Sequence, residues 1–138
     1  MDSNLQTPGA AKILDGSVPT LLCHDEASDV PAAIIATGVN RLALARDDKG
    51  LDLAAMLDYL TARQCNEILV ESGPRLAGAL LQAGLLDELI VYMAPALLGD
   101  RARPLLHLPF DHMADKVPLQ VEDVRRVGQD WRFTVLPG

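Results

Sequence analysis

A chain of 138 residues can form one domain with a real core. Its 49% hydrophobic and 22% charged residues are an ordinary globular mixture, which excludes general disorder. A net charge of −7 repels nucleic acid and anionic lipid, so neither is an expected partner, although clustered backbone amides still admit small anions.

The opening MDSNLQTPGA is polar and lacks the apolar stretch of a signal peptide. The first twenty residues mix Pro, Gly, Ser and Asp and read as the loosest part. VPTLLCH (18–24) reads as a short buried strand, bounded by Pro19 and by Asp25-Glu26. PAAIIAT (31–37) reads as a second strand, closed by Gly38. VNRLALA (39–45) reads as a third, through Leu42 and Leu44. The spacers between them look too short for helices.

DLAAMLDYLTARQ (52–64) is the first clear helix. Leu53, Met56, Leu57 and Leu60 form one apolar stripe, Asp52 suits the N-cap, and Arg63 suits the C-terminal dipole. EILVES (67–72) reads as a buried strand. A second helix starts at Pro74, with Leu76, Ala77, Leu80 and Leu81 facing inward and Gly84 closing it. A strand follows in 87–93, ended by Pro95. Helix, strand, helix, strand over 52–93 predicts a parallel pair joined by a crossover. LQVEDVRRV (119–127) and WRFTVLP (131–137) flank Gly128-Gln129-Asp130 and predict an antiparallel hairpin. The fold class is therefore α/β with a mixed sheet, in a single domain over residues 1–138.

Cys23 and Cys65 make no CxxC, which suits a reducing compartment and buried apolar roles; a cytoplasmic protein is expected. His24, His107 and His112 have no metal-ligand spacing, so no metal site is assigned. Residues 76–98 are rich in Leu and Ala, yet Gln82, Asp87, Glu88 and Pro95 interrupt them, so no membrane span is expected. Asp87-Glu88 reads as a solvated strand start, and Trp131 as a core or interface residue.

LVESGPRLAGALL (69–81) is the candidate site. A strand runs into Glu71-Ser72-Gly73-Pro74 and then a helix, whose first amides lack partners and can hold a phosphate. Gly73 would let a ligand approach the backbone, and Gly78 would let the helix sit close to the sheet or to a cofactor. The glycines match neither GxGxxG nor a P-loop, so on the residues alone an ordinary βα turn is the preferred reading. Glu71 could accept hydrogen bonds from a substrate or merely satisfy loop amides. Arg75 could pair with a cofactor phosphate or be solvated, and solvation is the preferred reading. No Ser-His-Asp arrangement is visible, and hydride transfer fits better because the cofactor carries the chemistry.

ILVESGPRLAGALLQAGLLDELIVYMAPALLG resembles the reductase domain of the bacterial bifunctional deaminase/reductase of riboflavin biosynthesis. That family reads valine-glutamate-glycine-glycine-proline, a helix, leucine-aspartate-glutamate, an apolar strand, proline and leucine-glycine. Ser72 departs from its usual glycine. DSNLQTP resembles the family's aspartate-serine turn after a strand. The resemblance implies a dihydrofolate-reductase-like fold, with NADPH as hydride donor. The implied substrate is 5-amino-6-(5-phosphoribosylamino)uracil. It implies substrate contact at Glu71 and cofactor contact at Ser3, Gly73, Pro74, Arg75, Leu76, Ala77, Gly78 and Ala79. Only the later portion of the family's domain is matched. That implies a fragment which is not self-sufficient, with an exposed sheet edge that pairs in a homo-oligomer. The alternative is a non-catalytic nucleotide-binding or interaction module made from the same half-fold.

Overall fold

Parallel neighbours in a sheet cannot be joined by a tight turn, and this constraint shapes the first part of the chain. Strand β1 (Leu21–Asp25) pairs in parallel with β2 (Asn40–Leu44), in the register Leu21↔Asn40 to Asp25↔Leu44. The connection carries helix α1 (Ala32–Ile35). The strand expected at 31–37 is therefore a short helix. Pro31 opens it and two alanines favour it, and only Ile34 is deeply buried while Ile35 is exposed. The spacers are short because the crossover helix lies within 31–37 itself.

A small hairpin follows, β3 (Arg46–Asp47) and β4 (Gly50–Leu51). Helix α2 (Leu53–Thr61) begins where the sequence places it, with the Asp52 carboxylate accepting from the Ala55 amide at 2.9 Å. Cys23, Leu44, Leu51 and Met56 form one buried cluster, joined by Leu42, Leu57 and Leu60. Leu5, Leu22 and Ile34 form another. Successive β1 residues feed the two clusters because their side chains alternate between faces. The opening stretch is better anchored than its composition suggests, since Leu5 and Leu14 are both buried. Cys65, expected inside, is exposed.

The structure is a computed structural model describing all 138 residues, which divide into two units, Met1–Ile68 and Leu69–Gly138. In the second unit, helix α3 (Pro74–Gln82) starts at Pro74 as expected, and Gly84 follows it at φ +66°, a left-handed helix stop. Strand β5 (Leu89–Met93) pairs antiparallel with β7 (Asp130–Pro137), which pairs antiparallel with β6 (Leu119–Val127). The sheet order is β5-β7-β6. The hairpin turn lies between Val127 and Asp130, with Gly128 at φ +63°. A bulge at Val121/Asp123 adds one residue to β6.

Two expectations fail here. Residues 67–72 belong to no strand, and Leu69 is 79% exposed, so the buried strand is absent. An apolar run becomes a strand only where a neighbour completes its ladder, and none does. The parallel partnership expected for β5 is replaced by the antiparallel ladder with β7. Trp131 is 41% exposed and so lies outside any core. No helix is long and apolar enough to cross a membrane.

Candidate functional site

The candidate residues fall into two sets, one in each unit: Ser3 in the first, and Glu71 to Ala79 in the second.

In the second set, Glu71, Ser72 and Gly73 are exposed. Gly73 is the N-cap of α3 with extended backbone and no side-chain cap, and Pro74 brings no N–H. The Arg75 and Leu76 amides are thus the free donors of the first turn. A Cβ at Gly73 would meet nothing within 4 Å, so this corner is open. Arg75 is exposed, while Leu76, Ala77 and Ala79 are half-buried.

Gly78 is different. It is buried, and a Cβ there would collide with the backbone carbonyl of His107. The His107 amide also donates to the Pro74 carbonyl at 2.9 Å. The close approach foreseen for Gly78 is therefore made by a chain segment that the sequence did not single out. A helix packs against bare backbone only where it lacks a side chain.

In the first set, the backbone around Ser3 is laced to the end of β1. The Asp2 amide donates to the Cys23 carbonyl at 2.9 Å, and the Asp25 amide donates to the Ser3 carbonyl at 3.1 Å. The Ser28 hydroxyl donates to the same carbonyl at 3.2 Å. The Ser3 hydroxyl takes no part in these bonds. Asp2 closes the loop from the other side, accepting from the Gln6 amide, the Thr7 amide and the Thr7 hydroxyl. Burial pushes the Asp2 carboxyl up, but those three bonds outweigh it and hold it below its ordinary value of 3.8. The loop keeps buried Leu5 at φ +52°, a left-handed conformation unusual for a branched side chain.

Arg46 joins this group. Its Nη1 donates to Asn4 Oδ1 at 2.8 Å and lies 3.6 Å from the Asp25 carboxylate. No local pattern signals this contact, because residues 4, 25 and 46 lie far apart along the chain. Asp2 had a signal, a carboxylate five residues before a threonine in a Pro-containing turn. Cys23 carries no nucleophile, since burial pushes its thiol up despite the amino-terminal charge. A cavity of about 150 Å³, lined by Leu14, Val18, Pro19, Gly38 and Val39 among others, contains none of the candidate residues.

These elements define a class first. Among solved structures the chain resembles RibD of Acinetobacter baumannii, with a TM-score of 0.84 and 30% sequence identity, over 99% of this chain and 36% of that one. The mixed α/β fold with a C-terminal hairpin is thus shared with riboflavin-biosynthesis proteins. The sequence also matches the family described as RibD C-terminal domain over residues 1–133, and the chain belongs to that family. It is 51% identical over 92 residues to the riboflavin biosynthesis protein RibD of Escherichia coli (strain K12), covering 65% of this chain and 25% of that protein. It is 30% identical over 92 residues to the 5-amino-6-(5-phosphoribosylamino)uracil reductase of Buchnera aphidicola subsp. Acyrthosiphon pisum, covering 65% of this chain and 44% of that protein. The chain therefore spans less than half the length of these relatives.

The Gly78 contact makes a sharp expectation. Gly78→Ala destabilises the fold by about 1–3 kcal/mol, because the methyl displaces the His107 backbone. Gly73→Ala, in open space, costs at most about 1 kcal/mol through the weaker cap. Urea unfolding of both variants checks this, and equal losses would contradict the packing described.

The Asp2 bonds predict a pH dependence. A carboxylate with a lowered folded value contributes stability that is fully present above its unfolded value, near 3.8, and is lost as pH falls through the lowered value. Asp2→Asn should therefore be less stable than the parent at pH 7 by about 0.5–1 kcal/mol, solvent screening having reduced the effect. The difference should shrink steadily below pH 4. A pH-independent difference in thermal unfolding would remove the role assigned to this carboxylate.

Proposed function

We propose that the chain is part of an NADPH-dependent reductase that reduces the ribosyl side chain of 5-amino-6-(5-phosphoribosylamino)uracil in riboflavin biosynthesis. The observation that carries this reading is the family match over residues 1–133, together with the reductase named among its relatives. A cytoplasmic setting suits such a biosynthetic enzyme.

The residues at the start of α3 fit a dinucleotide. The open Gly73 corner admits a phosphate, and the Arg75 and Leu76 amides face it at the positive end of the helix. Cofactor contacts are assigned here to Gly73, Pro74, Arg75, Leu76, Ala77 and Ala79. Gly78 acts by letting α3 sit against His107, and so supports these contacts from within. Ser3 contributes a further cofactor contact through its uncommitted hydroxyl.

Bound NADPH supplies a hydride to C1′ of the ring-opened ribosyl imine. The protein's part is position and electrostatics. Glu71, exposed at the joint before α3, contacts the substrate, orients the acceptor carbon and favours positive charge developing beside it.

A fluorescence titration with NADPH, followed by turnover with the aminouracil substrate, tests the reading. Binding and consumption are expected of the protein that includes this chain. Binding without consumption would make it a nucleotide-binding module, and neither would overturn the proposal. Where turnover occurs, Glu71→Gln should lower kcat by about tenfold or more while changing NADPH affinity less than about twofold. The reverse pattern would make Glu71 a cofactor residue.

A homo-oligomer is part of the same proposal. The β5-β7-β6 sheet ends in unpaired edges, and Val121, Val124 and Val127 on β6 are exposed. Sedimentation at micromolar concentration should show a self-associated species, and a well-behaved monomer would exclude it.

A further inference from the structure

We propose that the outer edge of β6 is a self-association surface, on which β6 of a second copy pairs antiparallel with Val124 facing Val124 across a twofold axis. The inference rests on the homo-oligomer proposed above and gives it a surface, a register and the residues that set it.

An edge strand keeps one row of N–H and C=O groups unpaired, ready for a further strand. In the order β5-β7-β6, β6 pairs on one side only, and all nine of its residues are exposed. Charges on such a strand usually blunt it against pairing. Here the order of the charges decides otherwise. Residues 122–126 read Glu-Asp-Val-Arg-Arg, so the two sides of Val124 carry opposite charge.

Residues directly opposite on antiparallel strands share a face, where unlike charges attract and like charges repel. A twofold axis at Val124 sets Asp123 opposite Arg125 and Glu122 opposite Arg126, each twice. The ladder of β6 with β7 runs without a shift from Asp123 to Val127, so the inner pair stands on an ordinary pleat. Sliding the copy by two residues, the smallest step that keeps each face, brings Arg125 against Arg125 or Asp123 against Asp123. A parallel in-register stack sets every charge against its like. One arrangement is favoured and its neighbours are penalised, which separates a specific interface from a merely sticky edge.

The side chains are available for this pairing. Within one chain Asp123 lies 3.6 Å from Arg125 and 3.9 Å from Arg132, and such half-exposed pairs contribute little. Arg126 donates through Nε to the Gly128 carbonyl, which leaves its two Nη groups for an acid. Val124 is 44% exposed and meets its own copy at the axis, so apolar burial accompanies the ion pairs. Residues 122–126 sum to no net charge, so the excess of acid in the whole chain does not fall on this edge.

Analytical ultracentrifugation of the chain and of two charge reversals makes the test, with circular dichroism confirming that each variant is folded. Arg125→Asp sets a carboxylate against Asp123 of the second copy, and Asp123→Arg sets a guanidinium against Arg125. Each variant alone should lose self-association by about tenfold or more. Mixed in equal amounts, the two are complementary in the proposed register and should associate to within about threefold of the parent's affinity. A general loosening of the hairpin gives no such recovery. Where a reversal does not fold, Arg125→Gln and Asp123→Asn carry the same test, with smaller losses and partial recovery on mixing. Reversals that self-associate like the parent, or a mixture that does not recover, would overturn this surface and leave a homo-oligomer built elsewhere. A parent chain that stays monomeric would overturn both.

Discussion

The contact between Gly78 and the His107 backbone is the constraint on which the second unit's candidate site depends. It holds α3 at two points one turn apart, through the missing side chain of Gly78 and through the Pro74 carbonyl. These points are the first residue of the helix and its middle one. The end that presents free amides is thus the end that is clamped. A dipole aimed at a ligand is useful only if it does not swing, because preorganised donors cost no reorientation when charge arrives. The segment around His107 has no regular structure of its own.

The first unit solves a similar problem with side chains. Its opening loop has no helix or ladder of its own, so its polar groups must be satisfied in other ways. Asp2 takes two amides and a hydroxyl, and β1 takes the backbone on the other side. Leu5 is then pressed into the cluster with Leu22 and Ile34 despite its left-handed backbone. Burial of that leucine, on the order of 1.5–3 kcal/mol, is comparable with the cost of the conformation. The loop is ordered because both terms are met together, and Ser3 stands in the middle of it.

The elements legible in the sequence are those whose signal is local. The Asp52 cap, the Pro74 start and the Gly128 turn are each decided by one residue's chemistry, and each stands where the sequence places it. Residues 31–37 and 67–72 depart from the strand expectation for one shared reason. Apolar runs of six or seven residues carry no period long enough to separate helix from strand, and their fate depends on distant partners. Around Ser3 and α3 the same division holds. The turn residues were visible, while Arg46 and Asp25 reach the Ser3 loop, and His107 reaches α3, from 20 or more residues away. The long motif from Ile68 to Gly99 was informative in another way, because its order of residue types matches a family even where the local structure was misjudged.

The acidic character of the chain does not oppose a dinucleotide ligand once distances are considered. A net charge of −7 is spread over the surface, and charges beyond about 8–10 Å are largely screened at physiological salt. What a phosphate meets is the nearest few donors. At α3 these are amides carrying about half a unit of positive charge, with no side-chain cap to neutralise them. Beside the Ser3 loop, Arg46 lies 3.6 Å from the Asp25 carboxylate, so the two charges largely offset one another. A fully exposed cation would gather any anion. One held against a carboxylate attracts anions less, because the carboxylate's repulsion grows with the ligand's charge as the cation's attraction does.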